Sequence, residues 1–190
     1  FGSFTVSSNV IGFGASNGTG TTTISGSSNE IRGIDARSVL AATTATSIQG
    51  NTISGITQTS SQSSSNILNS CFIGIALGTG ASTGLFNVGN ITGNTIGSLD
   101  ASSAIVVTAT STTTIPSATA PIFGIFDFAR SNTTISNNNL GTITINSGGT
   151  GIVVGFRGIY VDGQTGQTVT IDNNTIGGTA AGSITDNISG

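Results

Sequence analysis

The sequence predicts an all-β fold, a parallel β-helix in which short strands and sharp corners wind one chain into a stack of coils. Three observations carry this reading. A phrase containing Asn recurs five times, a second phrase built on Gly-Ile alternates with it, and the composition favours strands and turns over helices. The chain has 190 residues, enough for one domain with a substantial core, and it reads as one domain over 1–190.

The first phrase reads TVSSNVIG at Thr5–Gly12, SIQGNTISG at Ser47–Gly55, NITGNTIG at Asn90–Gly97, TISNNNLG at Thr134–Gly141 and TIDNNTIGG at Thr170–Gly178. Its aligned residues are Asn9, Asn51, Asn94, Asn138 and Asn174, in steps of 42, 43, 44 and 36. A period of this size marks a repeat architecture in which each unit buries its apolar side against its neighbours. The Asn is expected at a corner between two strands, where a residue in the left-handed conformation is needed and an amide can bond along the stack. Ile48, Ile91, Ile135 and Ile171 on one side of it, and Ile53, Ile96, Leu140 and Ile176 on the other, are expected to point inward.

The second phrase appears as IRGIDAR at Ile31–Arg37, FIGIALG at Phe72–Gly78, IFGIFDFAR at Ile122–Arg130 and FRGIYVDG at Phe156–Gly163. Taking the two phrases as alternating coils halves the period and predicts about nine coils of roughly 20 residues, a rod of about 43 Å at the strand spacing. Leu is too scarce for leucine-rich repeats, and the long stripes that helical repeats need are absent. Alternating runs such as Thr142–Ile145 and Gln167–Ile171 favour strands. Two stretches read as loops that leave the solenoid, Leu99–Ala120 and Thr57–Ser65, and a binding surface would be built there.

Composition narrows the function classes. Charged residues make up only 6% of the chain; the four basic residues are all Arg, and Lys and His are missing. Nucleic-acid binding by phosphate neutralisation is therefore not expected. No apolar run is long enough for a membrane helix, and the sequence calls for neither a cofactor nor a metal. Cys71 stands alone in an apolar run and is expected to be a buried free thiol. With Phe1 first and no initiating Met, the chain reads as a mature or excised piece of a longer product. A surface rich in Thr, Ser and Asn and free of Lys suggests an extracellular or cell-surface location.

Alternation of N-N-T-I-G with a Gly-Ile strand resembles the right-handed parallel β-helix repeats of secreted bacterial proteins, related in fold to pectate lyases. The ending NNTIGGTAAGSI, Asn173–Ile184, resembles repeat tracts in large surface proteins of Bacteroidetes exported by type IX secretion. The resemblance implies a single-stranded right-handed coil and a place in a longer repetitive polypeptide. Its enzymatic relatives use clustered Asp with Ca²⁺ or His and a basic residue as proton abstractor. Here only Arg32, Arg37, Arg130 or Arg157 could supply that base.

No catalytic residue is assigned. On the nine-coil reading Asp35 and Asp127 lie four coils apart, about 19 Å, and Asp127 and Asp162 two coils apart, about 10 Å; paired carboxylates need roughly 5–9.5 Å. If the chain carries a carbohydrate site, Asp127, Arg130, Arg157, Tyr160 and Asp162 are its candidates, with Tyr160 or Phe128 as a stacking platform and Phe123 and Phe126 in the core. The pairs Thr44/Thr46, Thr108/Thr110, Thr142/Thr144 and Thr168/Thr170 raise ice binding as a minor alternative, which needs them in register on successive coils; their offsets from the Asn vary. The function expected is a non-enzymatic stalk, adhesin or filament segment. Its partners would be flanking repeats, a second copy end to end, or a surface polysaccharide.

Overall fold

The computed structural model describes residues 2–15, 18–36, 43–62, 69–78, 80, 84–98, 104–110, 122–147, 155–179 and 183–187. These contain 19 strands and no α-helix, as β-branched residues interleaved with Ser, Thr and Gly dictate. The first turn of the coil comprises β1 (Thr5–Ser7), β2 (Val10–Gly12), β3 (Thr22–Gly26) and β4 (Ile31–Ala36). The second is β5 (Thr46–Gln49), β6 (Thr52–Ser54), β7 (Ile56–Ser60) and β8 (Phe72–Leu77). The third is β9 (Phe86–Val88), β10 (Thr95–Gly97), β11 (Ile105–Ala109) and β12 (Ile122–Asp127). The fourth is β13 (Thr133–Ser136), β14 (Asn139–Gly141), β15 (Ile143–Ser147) and β16 (Phe156–Val161), and the fifth holds β17 (Val169–Asp172), β18 (Thr175–Ile176) and β19 (Ile184–Asn187).

Every strand pairs in parallel with its counterpart one rung away. Four sheets result: A (β1-β5-β9-β13-β17), B (β2-β6-β10-β14-β18), C (β3-β7-β11-β15-β19) and D (β4-β8-β12-β16). The parallel β-helix is thus the architecture, with a different coil count from the one expected. Asn and Gly-Ile phrases are opposite walls of one rung rather than successive coils. The period of about 43 residues is itself the rung, so five rungs replace nine, and the stack is about 24 Å tall at the strand spacing.

The interior is a set of side-chain columns at that spacing. Ile48, Val88 and Ile135 stack in sheet A and Ile53, Ile96 and Leu140 in sheet B, all at 0% exposure. Across from them, Ile34, Ile75 and Ile125 form the matching column of sheet D. The end rungs lack a neighbour on one side, so Ile171 and Ile176 are half exposed although they continue buried columns. Cys71 is a buried free thiol, and burial pushes its pKa up.

Three local expectations are corrected. Ile91 is 80% exposed, because Val88 occupies the inward position in register with Ile48 and Ile135. The chain between Val88 and Asn94 carries a three-residue excess over the other rungs and bulges outward. Gln49 pins that bulge: its Oε1 accepts from the Ile91 and Thr92 N–H groups (both 3.1 Å), and its Nε2 donates to Asn90 Oδ1 (2.8 Å). Within the two stretches read as loops, Ile56–Ser60 and Ile105–Ala109 are strands of sheet C. Residues 63–65, 99–103 and 111–120 of those stretches, like Arg37, lie outside the described residues.

Candidate functional site

The Asn corner was expected to be structural, and its geometry accounts for every polar atom of the central amides. Asn51 donates from its backbone N–H (3.0 Å) and from Nδ2 (2.9 Å) to the Oδ1 of Asn94. Asn94 does the same to Asn138 (3.1 and 2.8 Å), and Asn138 to Asn174 (2.9 Å each). Asn9 opens the series on Asn51. Each inner Nδ2 also reaches a strand carbonyl: Asn51 to Val6 O, Asn94 to Ile48 O and Asn138 to Val88 O. Asn51, Asn94 and Asn138 are fully buried, so the amides are consumed by the stack.

The left-handed residue is not the ladder Asn but the one before it: Ser8 (φ 57°), Gly50 (62°), Asn137 (60°) and Asn173 (53°). The sharp turn falls on that position, exposed in Ser8, Asn137 and Asn173 and partly covered in Gly50, which leaves the following Asn free to point inward. In the third rung Gly89 (φ 78°), directly after Val88, takes the turn instead.

The Gly-Ile phrase shapes the opposite wall. In sheet D Gly33, Gly74, Gly124 and Gly158 face the core, each directly against a sheet B residue. A Cβ on Gly74 would lie 2.6 Å from Gly124 O and 2.8 Å from Ile96 Cδ1; one on Gly33 would meet Gly74 O and Ile53 in the same way. The carbonyl of the neighbouring rung and the Ile or Leu of the Asn phrase thus dictate the glycine together.

Beyond that glycine, sheet D turns two columns outward: Arg32–Ile73–Phe123–Arg157 and Asp35–Ala76–Phe126–Tyr160. They build a second apolar cluster of Ile73, Ala76, Phe123 and Phe126, flanked by Phe128 and Tyr160. Tyr160 stacks on Phe126 (centroids 5.5 Å apart, planes at 5°), and the Arg157 guanidinium sits 5.1 Å from the Tyr160 ring centre. Phe123 and Phe126 are buried as expected, in this outer cluster rather than in the lumen.

The structure brings four of the five candidate residues to one side of sheet D and its following corner. Arg130 bonds Asp162 Oδ2 through Nε (3.0 Å) and Nη2 (2.8 Å), reaches Gly80 O through Nη1 (3.2 Å) and lies over the Phe128 ring (4.7 Å). It thereby ties three successive corners together. Arg157 and Tyr160 form the other half of the group.

Asp127 turns the other way. It shares its column with Leu77 and Val161 and has 0% exposure. Its Oδ1 accepts from Ala129 N–H (2.9 Å), which closes the turn after β12, while Oδ2 has no hydrogen bond and the neighbouring Thr133 hydroxyl is directed to Ser131 O (3.3 Å). Burial pushes the Asp127 carboxyl above the usual carboxylate range; the Ala129 amide holds it back in part, and Asp162 adds to the rise.

The spacing of the carboxylates is also revised. Asp127 and Asp162 belong to adjacent rungs, with Asp162 N–H donating to Asp127 O at 2.9 Å, but one side chain is internal and the other is paired with Arg130. Asp35 and Asp127 are two rungs apart and in different columns. Asp172 accepts the Ser136 hydroxyl. Among the described residues no group of three or more Cys, Asp or Glu is placed to hold a metal ion.

The four Thr pairs named from sequence do not share a face. Thr46 is buried, Thr142 sits at a corner with φ 49°, Thr170 is on sheet A, and Thr108 and Thr144 are on sheet C. A different set is in register, on the outside of sheet C. One column is Thr23–Thr57–Val106–Thr144–Thr185 and the other Ser25–Thr59–Thr108–Asn146–Asn187. Sequence counting missed it because corners of unequal length separate sheets B and C: Gly55 alone in the second rung and Thr142 alone in the fourth, against residues 13–21 in the first. The usable signal is Thr-x-Thr counted from the strand start, as in Ile56-Thr57-Gln58-Thr59. A scan against protein-family models, a search of curated proteins and a search of solved structures each return no match to the chain.

Proposed function

We propose that this chain is a non-enzymatic structural module, a segment of a rigid stalk, adhesin or filament on a secreted or cell-surface protein of the Bacteroidetes type. The observation that supports this reading most directly is the polarity of the Asn ladder. Among the described residues, Asn9 Oδ1 accepts no bond at one end and Asn174 N–H donates none at the other. Between them every amide passes its bonds to the next rung. The ends are therefore complementary, acceptor to donor, and Ile171 and Ile176 at one end extend columns that begin with Val6 and Ile11 at the other. Further rungs, from flanking repeats or a second copy, satisfy both the hydrogen bonds and the apolar columns.

Sedimentation across a concentration series tests this for the second copy. Wild type should form linear, concentration-dependent oligomers, and Ile176→Asp should remain monomeric. A wild type that stays monomeric at all concentrations removes self-stacking and leaves flanking repeats, which an extended chain with one further repeat would test by a single cooperative melt at higher temperature. The second reading is carbohydrate binding, supported by the half-exposed Tyr160 beside exposed Arg157. Its ligand would be an anionic polysaccharide, and Tyr160→Ala should abolish retention on one.

A further inference from the structure

We propose that the outer face of sheet C binds ice. This goes beyond the structural role above and rests on a separate face of the rod. The two columns named above form a grid of five rungs by two positions, spaced about 4.8 Å between rungs and about 6.7 Å along the strand. Six of the ten positions are Thr, one is Ser, two are Asn, and Val106 keeps the branched shape of the Thr it interrupts. None of the ten carries a charge, whereas the outer columns of sheet D hold Arg32, Asp35 and Arg157 and sheet A ends on Asp172.

The register gives the grid its regularity. Pairing on sheet C runs from Thr22 to Gly26 and through every corresponding residue of β7, β11 and β15 without a bulge, so the outward positions repeat at a constant step. The hydroxyls of Thr23, Thr57, Thr59, Thr108 and Thr144 form no hydrogen bond to the described protein, in contrast to the Asn amides at the corner. Beneath them Val107, Ile145 and Gln58 are fully buried, and Gln58 is tied by Nε2 to Asn29 and Cys71 O, so the strands cannot flex outward freely. At the end of the second column, Asn187 Nδ2 donates to Asn146 Oδ1 at 3.0 Å, an inter-rung bond between two grid positions that fixes their spacing as well.

Each hydroxyl presents both donor and acceptor next to a methyl group, and β-branching restricts its rotamer. The array thus offers water a fixed set of positions at little further entropic cost. Oxygen rows on hexagonal ice repeat in two dimensions at distances of the same size as the grid. One water bound per Thr would be weak, but many bound together to a rigid lattice act as a multivalent contact. Charged side chains would impose their own radial hydration and spoil the match, and the face carries none.

The test uses the 190-residue chain and ice itself. Wild type should show thermal hysteresis, faceted crystals and inhibition of recrystallisation. Thr57→Tyr with Thr144→Tyr should abolish all three, and Thr134→Tyr on sheet A should leave them unchanged. Thermal melts establish that each variant is folded; if the double variant is not, Thr108→Arg alone provides the same contrast. A folded wild type with no effect on ice overturns the proposal, as does equal loss from the sheet A variant. Retention on crystalline cellulose without an effect on ice overturns it too. Because oligomers are read by sedimentation and ice by crystal growth, a monomeric protein that halts recrystallisation leaves this inference standing and removes only self-stacking.

Discussion

The Asn corner and the Gly-Ile strand recur with equal regularity, yet they are enforced by different neighbours. Each inner ladder Asn touches its own equivalents one rung above and below. Gly33, Gly74 and Gly124 of sheet D are required both by a carbonyl of the neighbouring rung and by a residue across the lumen, such as Gly124 O and Ile96 against Gly74. The first repeat is a property of the stack, and any rung that carries the Asn can join it. The second depends on the cross-section as well, which narrows where an Ile or Leu from sheet B must fit against backbone. That difference also explains why the two phrases share one rung: the apolar residue after the Asn and the glycine of the Gly-Ile phrase are the two sides of one contact.

Substitutions at the two walls should separate these causes. The largest effect is expected at Gly74→Ala, which places a methyl 2.6 Å from the Gly124 carbonyl and 2.8 Å from Ile96 Cδ1. The backbone on one side cannot yield, so a loss of about 3 kcal/mol is expected in urea unfolding. Pairing it with Ile96→Val should recover little of this loss, because the carbonyl contact remains; substantial recovery would mean that the side chain alone sets the limit.

Next comes Asn94→Ala. It removes the acceptor for Asn51 N–H and Nδ2 and the donor to Ile48 O, all in a dry interior. The expected cost is about 2–3 kcal/mol, with amide exchange rising first at Asn51 and Thr95. Asn9→Ala, at the exposed end of the same ladder, should cost well under half as much, since water replaces what is lost. Equal costs at the two ends would show that the ladder acts as one cooperative unit.

Asp127→Asn tests the corner that follows the Gly-Ile strand. The carboxyl pKa is raised by burial, so its stability contribution is fully present below the ordinary Asp pKa of 3.8 and is lost as pH rises through the raised value. Asp186, raised by burial as well, acts in the same direction. Wild type should therefore lose stability between acid and neutral pH. Asp127→Asn keeps an oxygen for Ala129 N–H and should flatten most of that slope, with a higher melting temperature at neutral pH and no gain at pH 3. An unchanged slope would assign the pH dependence elsewhere.

The smallest effects belong to the outward side chains. Arg130→Met breaks a partly exposed ion pair with Asp162 and should cost no more than about 1 kcal/mol. Ile91→Ser should be neutral, whereas Val88→Ala, at the true inward position of the same rung, should cost about 2 kcal/mol. The Ile91 and Val88 pair is a direct check on register, because the sequence phrase alone assigns the inward role to Ile91.

The fold class was legible in the sequence because periodic Ile and Asn in a Thr-rich, Gly-rich chain can bury their apolar side only by stacking. The Asn ladder was legible for the same reason, since a buried amide must find partners and its own equivalents are the nearest. Much of the candidate group on sheet D was legible too, as Arg157 and Tyr160 lie on one strand. Asp127 was not, because whether a residue after the glycine faces in or out depends on a kink that places Gly124 and Ile125 both toward the lumen.

What the sequence by itself determined is the period and the residues that must repeat. Only the tertiary structure decided what one period contains. Backbone hydrogen bonds carry no side-chain label, so two unlike phrases 20 residues apart can lie above one another or face each other across a core with the same autocorrelation. Parallel pairing of Ile48 with Val88, and of Ile75 with Ile125, resolves that choice in favour of facing walls. The same pairing aligns Thr57 with Thr144 through Val106, a relation that corners of unequal length conceal from any count along the chain.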